Sequence, residues 1–273
     1  MRLIKPSFLI KEQEPGLLGI YRQIEYAGRI CYKSSDKITE DSAKSFVDRM
    51  VKSGHGAMLE HGTIYLYIKG VDITKYLFNK YSKVVEGSLD HFYITTNYRV
   101  LIENGWLDDL QYICEPTEFH EKRITVKFVL SRSIAQEYTR HRVFSFAMES
   151  QRYCNYSTDR FGNEVTFIEP CWYNSSESNA LTDELFISSL ENAEWLYFNL
   201  LENGWKPQQA REVLPNACKT ELVMTGFVSQ WKDFFLLRSN KYGKGGAHPS
   251  ADELATPLYE EFIKRGYINE ENS

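Results

Sequence analysis

The chain has 273 residues, 42% hydrophobic and 25% charged, with a formal net charge of −5. That length and apolar share fit one large globular domain, or one domain with a sizeable insertion, and suffice to bury a real core. The acidic balance argues against a general binder of extended DNA or RNA, whereas a small anionic ligand needs only a local positive pocket.

In chain order, "RLIKPSFLI" reads as a strand. "GLLGIYRQIEYAGRICY" places Leu17, Ile20, Ile24 and Ala27 at helical spacing. "DSAKSFVDRMVKSG" predicts a second short helix ending at Gly54, and the latter half of "HGAMLEHGTIYLYI" predicts a strand. Residues 69–122 change character, being mixed, aromatic and acidic; Tyr, Phe, Leu and Ile are too frequent there for a disordered linker, so an ordered insertion is expected. "RITVKFVL" alternates like a strand and "SRSIAQEYTRHR" follows as a helix with a serine start. Phe186, Leu190, Ala193, Tyr197, Leu200 and Leu201 mark an amphipathic helix closed by Gly204. Pro207 suits the first turn of "PQQAREVL", which Pro215 stops. "ELVMTGFVSQWKDFFLLR" is apolar nearly all round and is expected as one central helix, and "SADE" (250–253) as a capping box opening the last helix. The expected fold is α+β: a mixed central sheet with flanking helices, a helix-rich C-terminal half, and one domain over 1–273 with an insertion at about 69–122.

Five cysteines (Cys31, Cys114, Cys154, Cys171, Cys218) are odd in number and lack any CxxC, which predicts reduced thiols in a cytoplasmic setting. The opening "MRLIKPSFLIKEQEP" is too short in apolar run for a signal peptide, and no stretch approaches the roughly 18 apolar residues of a membrane helix. A soluble protein is therefore expected, without membrane or nucleic-acid-polymer partners.

The densest chemistry lies in "RHRVFSFAMES", Arg140 to Ser150, followed by "QRY". Consecutive helical residues point ~100° apart, so Arg140, His141 and Arg142 cannot share one face; if all three act, they sit at a helix end or between subunits. A solvated, cation-rich helix C-terminus would also explain the triplet. Ser150 and Arg152 tilt the balance, because a hydroxyl, backbone N–H groups and a guanidinium suit a phosphate. Arg211 and Arg238 each end a predicted helix, where a cation complements the dipole. His55 and His61 flank Glu60, but six residues on a helix are ~240° out of phase, unlike a zincin pair, so no metal is expected. His91, His120 and His248 are isolated, and no nucleophile motif, GxGxxG or P-loop is present.

The spacing Arg-His-Arg, seven residues, Ser150, then Arg152 and Tyr153 resembles the signature of the flavin-dependent thymidylate synthases. "GRICY" ahead of "GHGAMLEH", then "AREVLPNACKTEL" and "FFLLR", follow in the same order as in that family, so the similarity runs from residue 27 to about 255 outside the 69–122 segment. The resemblance implies methylation of dUMP at C5 to give dTMP. It implies 5,10-methylenetetrahydrofolate as carbon donor, FAD as hydride carrier and NADPH as reductant, in a homotetramer with active sites between subunits. By position it assigns Arg140, His141, Arg142, His55 and Glu60 to the flavin, with Cys31 and Asp233 at further flavin-site positions. Ser150, Gln151 and Arg152 are assigned to dUMP, Arg211 to the phosphate from a neighbouring subunit, and Arg238 to the uracil ring. Ser150, His141 and Arg238 are the residues expected to act in catalysis, Ser150 by positioning the uracil and not as a covalent nucleophile. The chain departs from the family's usual residues at Cys31, Ala57, Glu137, Met148, Phe227, Ser229 and Asp233, mostly on the flavin side. A relative that transfers another one-carbon unit, and a nucleotide-binding protein without catalysis, are the competing expectations.

Overall fold

The computed structural model describes residues 1–152, 154–158 and 162–269, so Tyr153 of the motif lies outside the described residues. The first apolar stretch forms two strands, β1 (Arg2–Ile4) and β2 (Ser7–Lys11), rather than one. Pro6 lies in the break: without an N–H it cannot continue a ladder. β1 and β2 also join different sheets.

Helix α1 (Gly16–Cys31) buries Ile20, Ile24, Ala27 and Ile30, while Leu17 of the predicted face stays exposed. Helix α2 (Ser42–Lys52) packs against it through Phe46, and the contact is close: a Cβ on Gly28 would lie 2.4 Å from Phe46 Cζ. Gly54, at φ +70°, turns the chain out of α2 into the single turn α3 (Gly56–Leu59). Strand β3 (Thr63–Lys69) follows. The 69–122 segment then contributes α4 (Thr74–Leu77), β4 (Lys83–Glu86), β5 (His91–Asn97) and α5 (Tyr98–Asn104). Its strands complete an antiparallel sheet in the order β3–β5–β4, with Thr63 opposite Asn97 and Lys69 opposite His91. Asn97 caps α5 by accepting from Val100 N at 3.2 Å. Ile94, Tyr98 and Leu101 share one apolar core with Ile20 and Ile24 of α1.

The central sheet has the order β2–β6–β9–β7, all antiparallel, with β6 (Arg123–Ser131), β7 (Ser145–Met148) and β9 (Lys219–Phe227). β8 (Thr166–Ile168) pairs with β1 in parallel and is bridged from Phe167 to Cys218, which makes the strand directions mixed. Between β6 and β7 lies α6 (Arg132–Tyr138), capped by Ser131. Helix α7 (Ala180–Glu202) opens with a reciprocal box between Asn179 and Thr182 and buries Leu190, Ala193 and Tyr197, with Phe186, Leu200 and Leu201 half-buried. The turn α8 (Pro207–Ala210) leads into a 3₁₀ turn, Arg211–Val213.

The structure corrects two of the expected elements. "ELVMTGFVSQWKDFFLLR" is not one helix: its first seven residues belong to β9, and α9 (Val228–Arg238) begins only after Phe227. A strand covered on both faces reads as an unbroken apolar run, and periodicity cannot separate it from a buried helix. Helix α10 (Pro249–Lys264) starts before "SADE", with Pro249 in its first turn and the His248 imidazole accepting from Ser250 N at 3.2 Å. Helices α6, α9 and α10 cover the β6–β9 region in a core containing Phe128, Tyr138, Trp231, Phe234 and Phe262. Among the described residues no helix is long and apolar enough to cross a membrane.

Candidate active site

The Arg-His-Arg triplet follows α6 directly. Tyr138 is fully buried and its hydroxyl donates to Ala251 O at 2.8 Å, which anchors the helix end. The backbone then tightens: Arg140 N reaches Glu137 O at 3.3 Å and His141 N reaches Tyr138 O at 3.1 Å. The three side chains therefore diverge, with Arg140 and Arg142 exposed and His141 half-buried against Phe234 at 5.0 Å between ring centres.

Arg238, the last residue of α9, meets this turn from the other side. Its Nε donates to His141 Nε2 at 3.1 Å, Nη1 to Glu137 Oε2 at 2.6 Å and Nη2 to Glu137 O at 2.8 Å. A guanidinium has five N–H donors, so one remains on each Nη. Burial, and then the Arg238 charge, push the His141 pKa down to about 4. His141 is thus neutral near pH 7 and accepts from Arg238 through Nε2.

A second group surrounds the loop after β7. Ser150 N donates to Cys31 O at 3.1 Å, pinning the loop to the end of α1. The Cys31 thiol is pushed up by burial, so it is held as a thiol. Gln151 is buried and its amide donates to Cys218 Sγ at 3.3 Å, while Arg152 is exposed. Just before them, Glu149 is nearly inaccessible and is paired with Lys219 at 2.6 Å and Lys33 at 3.5 Å. Lys219 and Lys33 also hold Glu221, at 2.7 and 2.9 Å. Burial alone would raise the Glu221 pKa, but Lys219 and Lys33 bring it down to about 2. Sequence reading did not single out this buried ionic network, whose members lie on α1's C-terminal turn, the motif and β9.

A third group lines a cavity of about 670 Å³ between β6–β9 and the 69–122 segment. Glu60 and Arg142 line it, together with Lys80, Arg99 and Arg123, which sequence reading also missed. Arg123 is buried: Nη1 donates to Glu60 O at 3.0 Å and Thr63 Oγ1 at 3.3 Å, and Nη2 to Ser145 Oγ at 3.1 Å. Burial lowers the Arg123 pKa to about 10, so it stays charged near neutrality. His61 lies behind it, fully buried, with Nδ1 2.8 Å from Thr225 Oγ1 and its pKa lowered to about 3 by burial and then by Arg123. His61 is therefore a neutral core residue. His55 sits apart on the surface with Nδ1 2.7 Å from Tyr32 OH.

One chain thus joins Arg238 to His141, Ser150 to Cys31, and Glu60 to Arg142 through the shared cavity. Asp233 is exposed on α9. Arg211 contacts Glu212 at 3.6 Å, and among the described residues no hydrogen bond links it to Ser150 or Arg238.

A family model described as thymidylate synthase complementing protein matches residues 18–76 and 101–265. The chain belongs to this family. The motif resemblance and the thymidylate synthase complementing family model therefore agree, and every site residue named above from the motifs lies within the matched spans. The unmatched residues 77–100 include β4, β5, Lys80 and Arg99. Relatives in the family are flavin-dependent thymidylate synthases. That of Corynebacterium diphtheriae is 24% identical over 236 residues, 80% of this chain and 67% of the relative. That of Corynebacterium aurimucosum is 25% identical over 235 residues, with the same coverage. That of a Mycobacterium species is 24% identical over 240 residues, 80% of this chain and 68% of the relative. Among solved structures, the UMP/dUMP methylase PolB from Streptomyces cacaoi, bound with 5-Br dUMP, is 16% identical with a TM-score of 0.48, over 97% of this chain and 93% of that one.

Proposed function

We propose that the chain is a flavin-dependent thymidylate synthase, converting dUMP to dTMP with 5,10-methylenetetrahydrofolate as carbon donor and NADPH as reductant. The observation that carries this reading is the guanidinium of Arg238, held by Glu137 and a neutral His141 with donors to spare. Family membership and the names of the relatives support it. Guanidinium donors suit a uracil carbonyl oxygen, which accepts. Ser150 would position the ring from the neighbouring loop, with Gln151 anchoring that loop in the core. Arg152 would pair with the phosphate, and Arg211 would reach a phosphate held mainly by another copy.

The residues present fit a flavin dinucleotide, because the cavity beside Arg142 and Glu60 is cationic and of cofactor size. FAD, when bound, would supply the hydride. Arg140, His141 and Arg142, with His55, Glu60, Cys31 and Asp233, would hold it. His141 would offer a neutral ring to it, and the Phe144, Phe227 and Phe234 side chains nearby would exclude water. All five cysteines are free, which suits a reducing, cytoplasmic setting.

The phosphate assignment is tested by binding. Arg152→Ala should weaken dUMP by about tenfold to a hundredfold, the loss of one charge-assisted bidentate contact. Deoxyuridine, which lacks the phosphate, should bind the parent poorly and lose much less in the variant. Equal losses by calorimetry would show that Arg152 does not read the phosphate. A phosphate contact from another copy needs at least a dimer, and the proposed homotetramer should give a mass near four times 31.9 kDa by light scattering. A fully active monomer at assay concentration would exclude it.

A further inference from the structure

The cavity between β6–β9 and the 69–122 segment carries more positive charge than its own carboxylates balance. Lys80, Arg99, Arg123 and Arg142 line it, against Glu60 and Glu103. Arg99 engages both acids, with Nη1 at 2.6 Å from Glu60 Oε1 and Nε at 2.7 Å from Glu103 Oε1. Among the described residues, no ion pair within 4.0 Å involves Lys80, Arg123 or Arg142.

Arg123 is the telling member. It is only 9% exposed, its Nη donors meet neutral oxygens alone, and its Nε has no partner. The Glu60 carboxylate acts on it electrostatically but is already paired with Arg99, so this buried guanidinium favours a further anion. The fold keeps it there: it opens β6 directly opposite Phe227, whose ring centre lies 5.5 Å from its Cζ. Lys80 and Arg142 are exposed at the cavity's open side, and Tyr81 adds a half-exposed aromatic face. These features ask for a ligand that is doubly anionic in one part and flat and aromatic in another.

We propose that this cavity binds the diphosphate-bearing part of a dinucleotide, with Arg123 as its floor cation, Lys80 and Arg142 at its open side, and residues 79–104 as one wall. The inference rests on the flavin reading above and extends it to residues outside the family model's match, since Lys80, Tyr81, Asn97 and Arg99 all lie in the unmatched stretch 77–100. On this reading the turn at Asn79–Tyr81, the end of β5 at Asn97 and helix α5 carry cofactor contacts.

The test uses the flavin-free full-length protein, titrated with FAD, riboflavin and ADP by fluorescence quenching and calorimetry. Parent, Lys80→Glu and Arg123→Gln are compared after thermal melts establish that each is folded. FAD should bind about tenfold or more weakly to each variant, the scale of one charge-assisted contact. Riboflavin, without a diphosphate, should change less than twofold, and ADP should compete with FAD in the parent. If Arg123→Gln does not fold, the exposed Lys80→Glu decides. FAD affinity within twofold of the parent in the folded variants, or an equal loss for riboflavin, overturns the cavity assignment while leaving the thymidylate synthase reading intact. ADP binding that the variants lose, in a parent that binds no FAD, supports the anion cavity and removes the flavin reading instead. A parent that binds neither overturns both.

Discussion

Replacing Arg238 with alanine is expected to lower turnover of dUMP about 10²–10³-fold, the scale for losing one donor that faces developing charge. Ground-state binding of dUMP should fall only about tenfold, one hydrogen-bonded contact. The split follows from where the group sits. Glu137 and His141 fix the guanidinium plane from three sides, so its two remaining donors are oriented before substrate arrives. Making C5 nucleophilic toward the incoming carbon would place negative charge on the uracil carbonyl side, and a donor already in place would stabilise that charge without reorganising. Glu137→Gln keeps the shape but removes the ionic half of the clamp, and should give a smaller turnover loss than Arg238→Ala. Calorimetric Kd values beside kcat for the same proteins check this. Equal losses in kcat and in affinity for Arg238→Ala would mean that the residue binds uracil uniformly and does not act on the reaction.

Trp231→Ala should destabilise the protein by about 3–5 kcal/mol, the range for emptying a large aromatic site in a core. Trp231 is fully buried on α9, with its indole N–H donating to Ile124 O of β6 at 3.1 Å. Its ring lies 4.7 Å from Phe144, 5.3 Å from Phe234 and 5.4 Å from Phe262, measured between centres. Removing it opens the contact between the central sheet and the helix that ends in Arg238, so the site should loosen with the core. Trp231→Phe keeps most of the packing and leaves the Ile124 carbonyl without its donor, a loss of about 1–3 kcal/mol. Urea midpoints for the two variants measure the difference. A loss below about 1 kcal/mol for Trp231→Ala would contradict the packing described.

Much of this architecture is legible in the sequence because local signals and tertiary burial agree. The Ile20–Ile24–Ala27 spacing gives α1, the serine before Arg132 starts α6, and Gly204 closes the run after α7. The exception at β9 is physical: Glu221 to Phe227 is covered on both sides, so no alternation marks it as a strand. β7 was hidden for a different reason, since four residues within a motif are too few for any period. Of the candidate site, the motif spacing brings out His141 and Arg238, which one chain places in contact across a separation of 97 positions. It did not bring out Arg123, Arg99 or Lys80. Each is a single cation at the start of an element or in a turn, indistinguishable in sequence from a solvated charge. Only the folding of the 79–81 turn and α5 beside the start of β6 makes them neighbours. The same holds for Lys33, Glu149, Lys219 and Glu221, which join an ionic network only when α1, the motif and β9 meet.

Methylation at C5 of dUMP must expel the hydrogen carried there, so tritium release from C5-labelled dUMP is the decisive assay for thymidylate synthase activity. With FAD, NADPH and 5,10-methylenetetrahydrofolate supplied, tritium is expected to enter water in step with dTMP formation, and no dTMP should form when any of the three is withheld from flavin-free protein. A folded, flavin-loaded protein that releases no tritium and forms no dTMP under those conditions would contradict that activity.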